Sequence, residues 1–262
     1  MKVWAVANQK GGVGKTTTAV TLGGLLARGG HSTLLVDMDP HGSLTSYFGQ
    51  DPESNVKNLY TLFQRRGMIE TRELVSRTAF NRLWLLPAST ALATLDRQSG
   101  AQDGMGLVLA RALAQVSPLF DYVLLDCPPV LGVLMVNALA ACDHLLIPVQ
   151  TEFLALKGLE RMLSTLGMIT RARKAPLAYT IVPTLFDRRT RAAHESLRAL
   201  RERYPALCWS GEIPVDTQLR EASYRNVPLP LYLPDARACV AYGALLDMLL
   251  CTYDMTIQRK AG

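Results

Sequence analysis

Residues 2–28 constrain the fold of this chain more than any other stretch. The short apolar, β-branched run "KVWAVAN" passes directly into "QKGGVGKTTT". From Thr16 the apolar residues of "TTTAVTLGGLLARGG" recur with helical period until Gly29 and Gly30 stop them. A strand, a glycine-rich turn and a helix in that order make a phosphate-binding loop. Gly14, Lys15 and Thr16 fill the second half of the general pattern, whereas Gln9 stands where its first glycine belongs. Gly11 and Gly12 compensate, because glycine reaches positive φ and lets backbone N–H groups turn toward phosphate oxygens. The helix adds the positive end of its dipole. Lys10, Gly11, Gly12, Val13, Gly14, Lys15, Thr16 and Thr17 are therefore the candidate nucleotide-binding residues. Lys15 would bridge the β- and γ-phosphates, the Thr16 hydroxyl would coordinate magnesium, and Thr17 would bond the α-phosphate. Lys10, five residues ahead of Lys15, has no place in the general pattern.

The rest of the chain alternates strand and helix signals. "STLLVDMD", "RLWLLPAS", "YVLLDCPP", "HLLIPVQ" and "LAYTIVPT" read as buried strands. Residues 51–80 read as helix and loop, and residues 91–117 as helix interrupted by a Gly-rich stretch at 100–106. "TRAAHESLRALRERYP" is a charged helix closed by Pro205, "CWSGEIPV" a late strand, and "ACVAYGALLDMLLCTYDMT" a final helix. Such alternation implies an α/β fold with a mostly parallel twisted sheet covered by helices on both faces. Without repeats, low-complexity segments or a Pro/Ser-rich linker, residues 1–262 are expected to form a single domain, and 49% hydrophobic residues suffice for its core.

Two further segments carry carboxylates. In "LLVDMDPHGSLT", Asp37 and Asp39 end a strand two residues apart, at the edge where open α/β sheets bind ligands. One could hold a magnesium water while the other orients an attacking water. Asp126 ends "DYVLLD" and is the expected second magnesium carboxylate of a nucleotide hydrolase, ahead of the stiff Pro128-Pro129 pair. The five cysteines show no Cys-x-x-Cys spacing, which argues against a zinc site and a disulfide framework and fits a reducing cytosol. "MKVWAVANQK" is no signal peptide, and no apolar run approaches a membrane span.

The net charge of +6 is unevenly spread, and its excess peaks in residues 171–203, where nine basic residues face three acidic ones. Arg171, Arg173, Lys174, Arg188, Arg189 and Arg191 are candidate contacts to a polyanion such as DNA. Arg191–Glu195 and Arg198–Glu202 have the i,i+4 spacing of a solvated helix face, which leaves Arg188, Arg189, Arg201 and Arg203 unaccounted for. With no interleaved aromatic residues, any DNA contact would be to the backbone and insensitive to sequence.

"KGGVGKTT", "VDMDPHGS", "DYVLLDCPP" and "IPVQTEFLALKGL" together resemble the ParA/MinD group of deviant Walker A P-loop ATPases over residues 1–250. "TLFDRRTRAAHESL" and "IPVDTQLREASYRNVPLPLYLPDARACVAYGALL" are similar to its short, Soj-type ParA branch. The resemblance implies ATP and Mg²⁺ as cofactors and an ATP-dependent sandwich homodimer. It also implies an adaptor protein that stimulates hydrolysis, and a cytoplasmic location at the nucleoid or a pole. Lys10 would reach across the dimer to the partner's phosphates and act with Lys15 and Asp39 in catalysis. Asp39 would orient the attacking water, and Asp37 would organise the magnesium shell with Thr16 and Asp126. Gly11 and Gly12 would lie where the monomers approach, Asn137 and Glu152 near the dimer face, and Pro214 to Asp216 against the adenine. His41 stands where the family usually carries glutamine, and its role, solvent-exposed or catalytic, stays open. Val215 and Gln218 replace arginines of the family's "IPRNVRLSEAP", so Arg220, Arg225 and Arg237 are where the DNA-contacting charge would have moved.

The cargo could be a plasmid or chromosome partition complex or a protein assembly such as a chemotaxis array. A MinD-like membrane regulator would need a basic amphipathic C-terminal helix, and the last 25 residues hold only Arg259 and Lys260. A redox ATPase on this fold would need cluster-ligating cysteines on loops, which Cys127 and Cys142 do not suit. An amidoligase would activate a carboxylate with ATP. The longer ParA proteins with an N-terminal helix-turn-helix are not expected, because the first strand begins at Lys2.

Overall fold

The computed structural model describes residues 1–54, 56–98, 105–170 and 176–261. Its sheet is built from β1 (Lys2–Val6), β2 (Thr33–Asp37), β3 (Ser76–Arg77), β4 (Leu83–Leu86), β5 (Tyr122–Asp126), β6 (His144–Gln150) and β7 (Ala178–Thr184). The spatial order is β3-β4-β2-β5-β1-β6-β7, parallel throughout except for β3, which pairs antiparallel with β4 at one edge. The helices are α1 (Lys15–Arg28), α2 (Ser43–Tyr47), α3 (Leu59–Gln64), α4 (Thr71–Leu74), α5 (Ala93–Gln98) and α6 (Val108–Val116). They continue with α7 (Val133–Ala141), α8 (Phe153–Thr170), α9 (Arg191–Arg203), α10 (Gln218–Tyr224), α11 (Leu229–Tyr232) and α12 (Arg237–Ala261).

Alternation along each strand divides the core between two faces. Val3 and Ala5 of β1 and Leu34 and Val36 of β2 point into a cluster completed by α3, α6, α7 and α8. Trp4, Val6 and Leu35 point the other way, against Leu22 and Leu26 of α1 and Leu245 and Leu249 of α12. All five residues of β2 and of β5 are buried, which is why these strands read as continuous apolar runs rather than alternating ones. Each such large apolar side chain contributes about 2 kcal/mol on leaving water.

The strand order places the ligand edge. From β1 the chain crosses over β5 to reach β2, and later strands extend the sheet on the other side through β6 and β7. Parallel sheets bind ligands at the carboxyl ends of strands where the winding reverses, here around β1, β5 and β2. The register sets Asp37 directly beside Asp126, and Asp126 beside Val6, so both carboxylates and the start of the glycine loop share one edge.

Two expectations change. "CWSGEIPV" forms no strand: it meets β7 and the residues after it through isolated bridges at Cys208 and Pro214 and through the Ile213 N–H, which donates to the Pro183 carbonyl at 2.8 Å. Pro183 in β7 has no N–H to give a continuous ladder, and the chain curls so that the Trp209 ring packs against Gly211. β3 is two residues long and left no periodic signal. Asn137 is fully buried, accepts from the Leu109 N–H at 3.1 Å and donates to the carbonyls of Met105 and Val133. The Gly-rich interruption in 100–106 lies mostly outside the described residues, flanked by α5 and a 3₁₀ turn at Met105–Leu107.

Candidate active site

The loop between β1 and α1 is braced from three sides. Buried Asn8 donates to the Pro148 carbonyl at 2.7 Å and accepts from the Lys10 N–H at 3.0 Å. The Thr184 hydroxyl donates to the Val13 carbonyl at 2.9 Å, with Val13 fully buried. Lys15 lies almost buried inside the loop, its ammonium donating to the Lys10 carbonyl at 3.3 Å. Gly12 and Gly14 sit at φ 74° and 91°, the left-handed region that L side chains avoid. Gly11 does not, so its small size answers no backbone demand within this chain, and a Cβ there would meet nothing within 4 Å.

Beneath the loop, Thr16 donates its hydroxyl to Oδ2 of Asp126 at 2.6 Å. Oδ1 of Asp126 is buried and accepts no hydrogen bond from the described residues. Asp37 accepts from the backbone N–H and the hydroxyl of Thr45, both at 2.7 Å, and Thr45 in turn accepts from the Ala88 N–H. Burial pushes the Asp37 carboxyl up to about 7 against these hydrogen bonds. Burial, then the charge of Asp37, raises Asp126 well above the carboxylate range, with Thr16 and Lys15 opposing. Two adjacent buried acids with one unpartnered oxygen form a site that favours a divalent cation. Among the described residues no three His, Cys, Asp or Glu side chains cluster to cage a metal alone. That suits magnesium, which keeps waters and phosphate oxygens around one or two protein groups.

Asp39 is mostly buried beyond the end of β2, where its N–H donates to Asp37 and its carboxylate pairs with His41. It lines a cleft of about 800 Å³ together with Gly11, Gly12, Gly14, Lys15, Thr16 and Thr17. The opposite wall comes from Leu185 and the segment from Ile213 to Arg220, with Tyr242 of α12 behind it. Tyr242 shares a 2.9 Å hydrogen bond with Thr18 of α1, tying the last helix to the loop helix. Pro214 and Asp216 both line the cleft, but the Asp216 carboxylate already accepts from the N–H groups of Gln218 and Ala238.

Lys10 points away from its own loop. Its ammonium donates to Gln150 at 3.2 Å and forms an ion pair with Glu152, at the carboxyl end of β6. Exposed Phe153 and Leu154 begin α8 next to that pair, and exposed Val130 and Leu131 follow the proline pair after β5.

The match to known proteins agrees with this geometry. A family model for an AAA domain covers residues 1–179. The sporulation initiation inhibitor protein Soj of Bacillus subtilis is 34% identical over 92% of this chain and 95% of its own. The chain belongs to the ParA/Soj family. The chromosome partitioning protein ParA of Myxococcus xanthus is also 34% identical, over 93% of this chain and 86% of its own. Among solved structures, cobyrinic acid a,c-diamide synthase from Mycobacterium smegmatis with bound ADP and magnesium superposes with a TM-score of 0.83. It is 33% identical over 97% of this chain and 96% of that one. An ATP complex of a Cyanothece McdA variant shares the fold at a TM-score of 0.84, with 24% identity over 95% of this chain and 96% of that one. This ParA/Soj-family protein is thus a P-loop ATPase that uses ATP and Mg²⁺.

The arginines fare differently from their sequence reading. Arg171, Arg173 and Lys174 lie outside the described residues. Arg189 is held by Asp187, Arg191 by Glu195 and Arg225 by Glu221. Arg201 pairs with Glu212 and Arg203 with Glu160, tertiary partners that helical spacing could not reveal. Arg220 lines the nucleotide cleft instead of joining a surface patch with the others. Among the described residues no helix is long and apolar enough to cross a membrane.

The sequence reading passed over Asn8, Thr45, Thr184 and Tyr242. Each is a polar residue with a hydrogen-bond partner at least 43 positions away in the chain. Only Asn8, a polar residue ending an apolar strand, left a local trace.

Proposed function

We propose that residues 1–262 act as a single nucleotide switch that positions a cargo by forming an ATP-dependent homodimer, which an adaptor protein resets by stimulating hydrolysis. The observation that carries this reading is Lys10: it sits beside the loop, and its ammonium is engaged by side chains at the end of β6 and not by its own loop. Phosphates bound in the same chain already have Lys15. An ammonium delivered instead to a second chain would neutralise charge on the transferring phosphoryl group, as an arginine finger does. The open space around Gly11 and Gly12 leaves room for that second chain.

Within the site, Lys15 and the loop N–H groups bind the phosphates, and Thr17 contacts the α-phosphate. Thr16, Asp126 and Asp37 would hold the magnesium, which would offset phosphate charge when bound. Asp39 orients the attacking water. Pro214 and the backbone around Asp216 wall the adenine, since the Asp216 side chain is occupied. The protein works in the cytoplasm, at the nucleoid or a pole. DNA contact is through the backbone and weak, resting on Arg188 and the 171–174 stretch, because carboxylates neutralise Arg189, Arg191, Arg201, Arg203 and Arg225.

Size-exclusion and single-turnover assays with ATP test the switch. Asp39→Ala is expected to bind ATP, dimerise and fail to hydrolyse; a monomeric Asp39→Ala protein with ATP would contradict the reading. ATP turnover that requires an amine donor and a carboxylate acceptor would point instead to the amide-forming chemistry of the synthase among its relatives. DNA retention in a salt series, with and without ATP, tests the matrix: no ATP-dependent retention at low salt would rule DNA out.

A further inference from the structure

The segment from Asp39 to Gly42 is a tight turn closed by the Gly42 N–H donating to the Asp39 carbonyl at 2.8 Å. Pro40 restricts its first corner, and Gly42 occupies φ 63°, with Pro52 pressed against the place its Cβ would take. The turn is therefore stiff. Inside it, one oxygen of the Asp39 carboxylate, Oδ1, accepts twice from the same residue. The backbone N–H of His41 donates at 3.0 Å, and its ring Nδ1 lies at 2.8 Å. A carboxylate oxygen has two lone pairs, so Oδ1 is filled. Oδ2 accepts no hydrogen bond among the described residues, and Asp39 faces the nucleotide cleft.

We propose that His41 is a positioning residue for Asp39: its ring N–H and backbone N–H together occupy Oδ1 and leave Oδ2 as the single acceptor presented to the cleft. The inference rests on the reading of Asp39 as the group that orients the attacking water. A carboxylate free to rotate about its Cβ–Cγ bond would offer either oxygen in a range of planes. One locked through Oδ1 offers one oxygen in one plane, and orientation of this kind is a main contribution of a catalytic group. The arrangement selects the imidazole tautomer with the proton on Nδ1, which leaves Nε2 toward solvent, where the ring is 81% exposed. That exposure also means the ring adds little to the packing, so its removal should spare the fold.

The test uses the full chain in single-turnover ATP hydrolysis with saturating and limiting ATP. His41→Ala should lower the hydrolysis rate by about tenfold or more, the size of one hydrogen bond to a charged acceptor, and leave ATP affinity and unfolding temperature unchanged. His41→Asn should restore most of the rate, because its amide nitrogen takes the place of Nδ1. Wild-type turnover in His41→Ala, with turnover lost in Asp39→Ala, would overturn the positioning role alone. Normal turnover in Asp39→Ala would overturn the underlying reading of Asp39. A His41→Ala loss that Asn does not restore, or that appears equally in ATP affinity, would also overturn the proposal.

Discussion

Replacing Asp37 by Asn should stabilise the nucleotide-free protein increasingly as pH rises. Asp37 is fully buried, and burial pushes its carboxyl from an ordinary 3.8 up to about 7. Because the folded-state value is the higher one, the stability this group contributes is complete below about pH 4 and is lost as pH rises through about 7. Between pH 5 and pH 7 the folded chain holds a proton that the unfolded chain has released. Each pH unit then removes about 1.4 kcal/mol, and the window removes about 3 kcal/mol. For a chain of this size that is roughly 6–12 °C in melting temperature. His144 works in the opposite sense. It is buried against Thr180 at 2.9 Å, and burial pushes its imidazole down to about 4. Its lowered value means stability is lost as pH falls from about 6.5 toward 4, about 2 kcal/mol by pH 5. The two groups flatten each other's effect in the wild-type profile, so the informative quantity is the difference between Asp37→Asn and wild type. Chemical denaturation from pH 5 to pH 8 without nucleotide or magnesium measures it. The variant should gain about 3 kcal/mol on the wild type between pH 5 and pH 7.5, and Asp126, raised by the same burial, does not reverse the sign. A difference that stays constant across this range would refute the picture of a buried, neutral Asp37.

Other substitutions probe the surrounding scaffold. Gly42→Ala should cost about 1–2 kcal/mol for the left-handed backbone alone and more for the clash of the added carbon with the Pro52 ring. An unchanged melting temperature would argue against the stiff turn. Thr184→Val should leave the Val13 carbonyl without its buried donor, weakening stability by about 1–3 kcal/mol and loosening ATP binding in calorimetry; wild-type affinity would mean the loop holds its shape without that brace.

The phosphate loop was legible because strand, turn and helix are contiguous, and each residue's job follows from local backbone geometry. Asp37 and Asp126 were legible in part: each ends an apolar run, but nothing local says that the long stretch between them returns to the same edge. The arginine-rich stretches were legible only as charge, for the complementary reason. A side chain's charge is visible in a sequence, whereas its partner is not, and Glu160 and Glu212 come from segments outside α9.

By itself the sequence determined that this chain folds as a parallel α/β layer with a nucleotide loop after its first strand. Backbone propensity, glycine freedom and hydrophobic period act over a few residues and are written in order. The tertiary structure alone decided that Asp37 stands beside Asp126, that Thr184 and Asn8 hold the loop, that Lys10 pairs with Glu152 and that Oδ1 of Asp39 is filled. These outcomes depend on strand order and on the matching of buried donors to acceptors, which a linear reading does not contain.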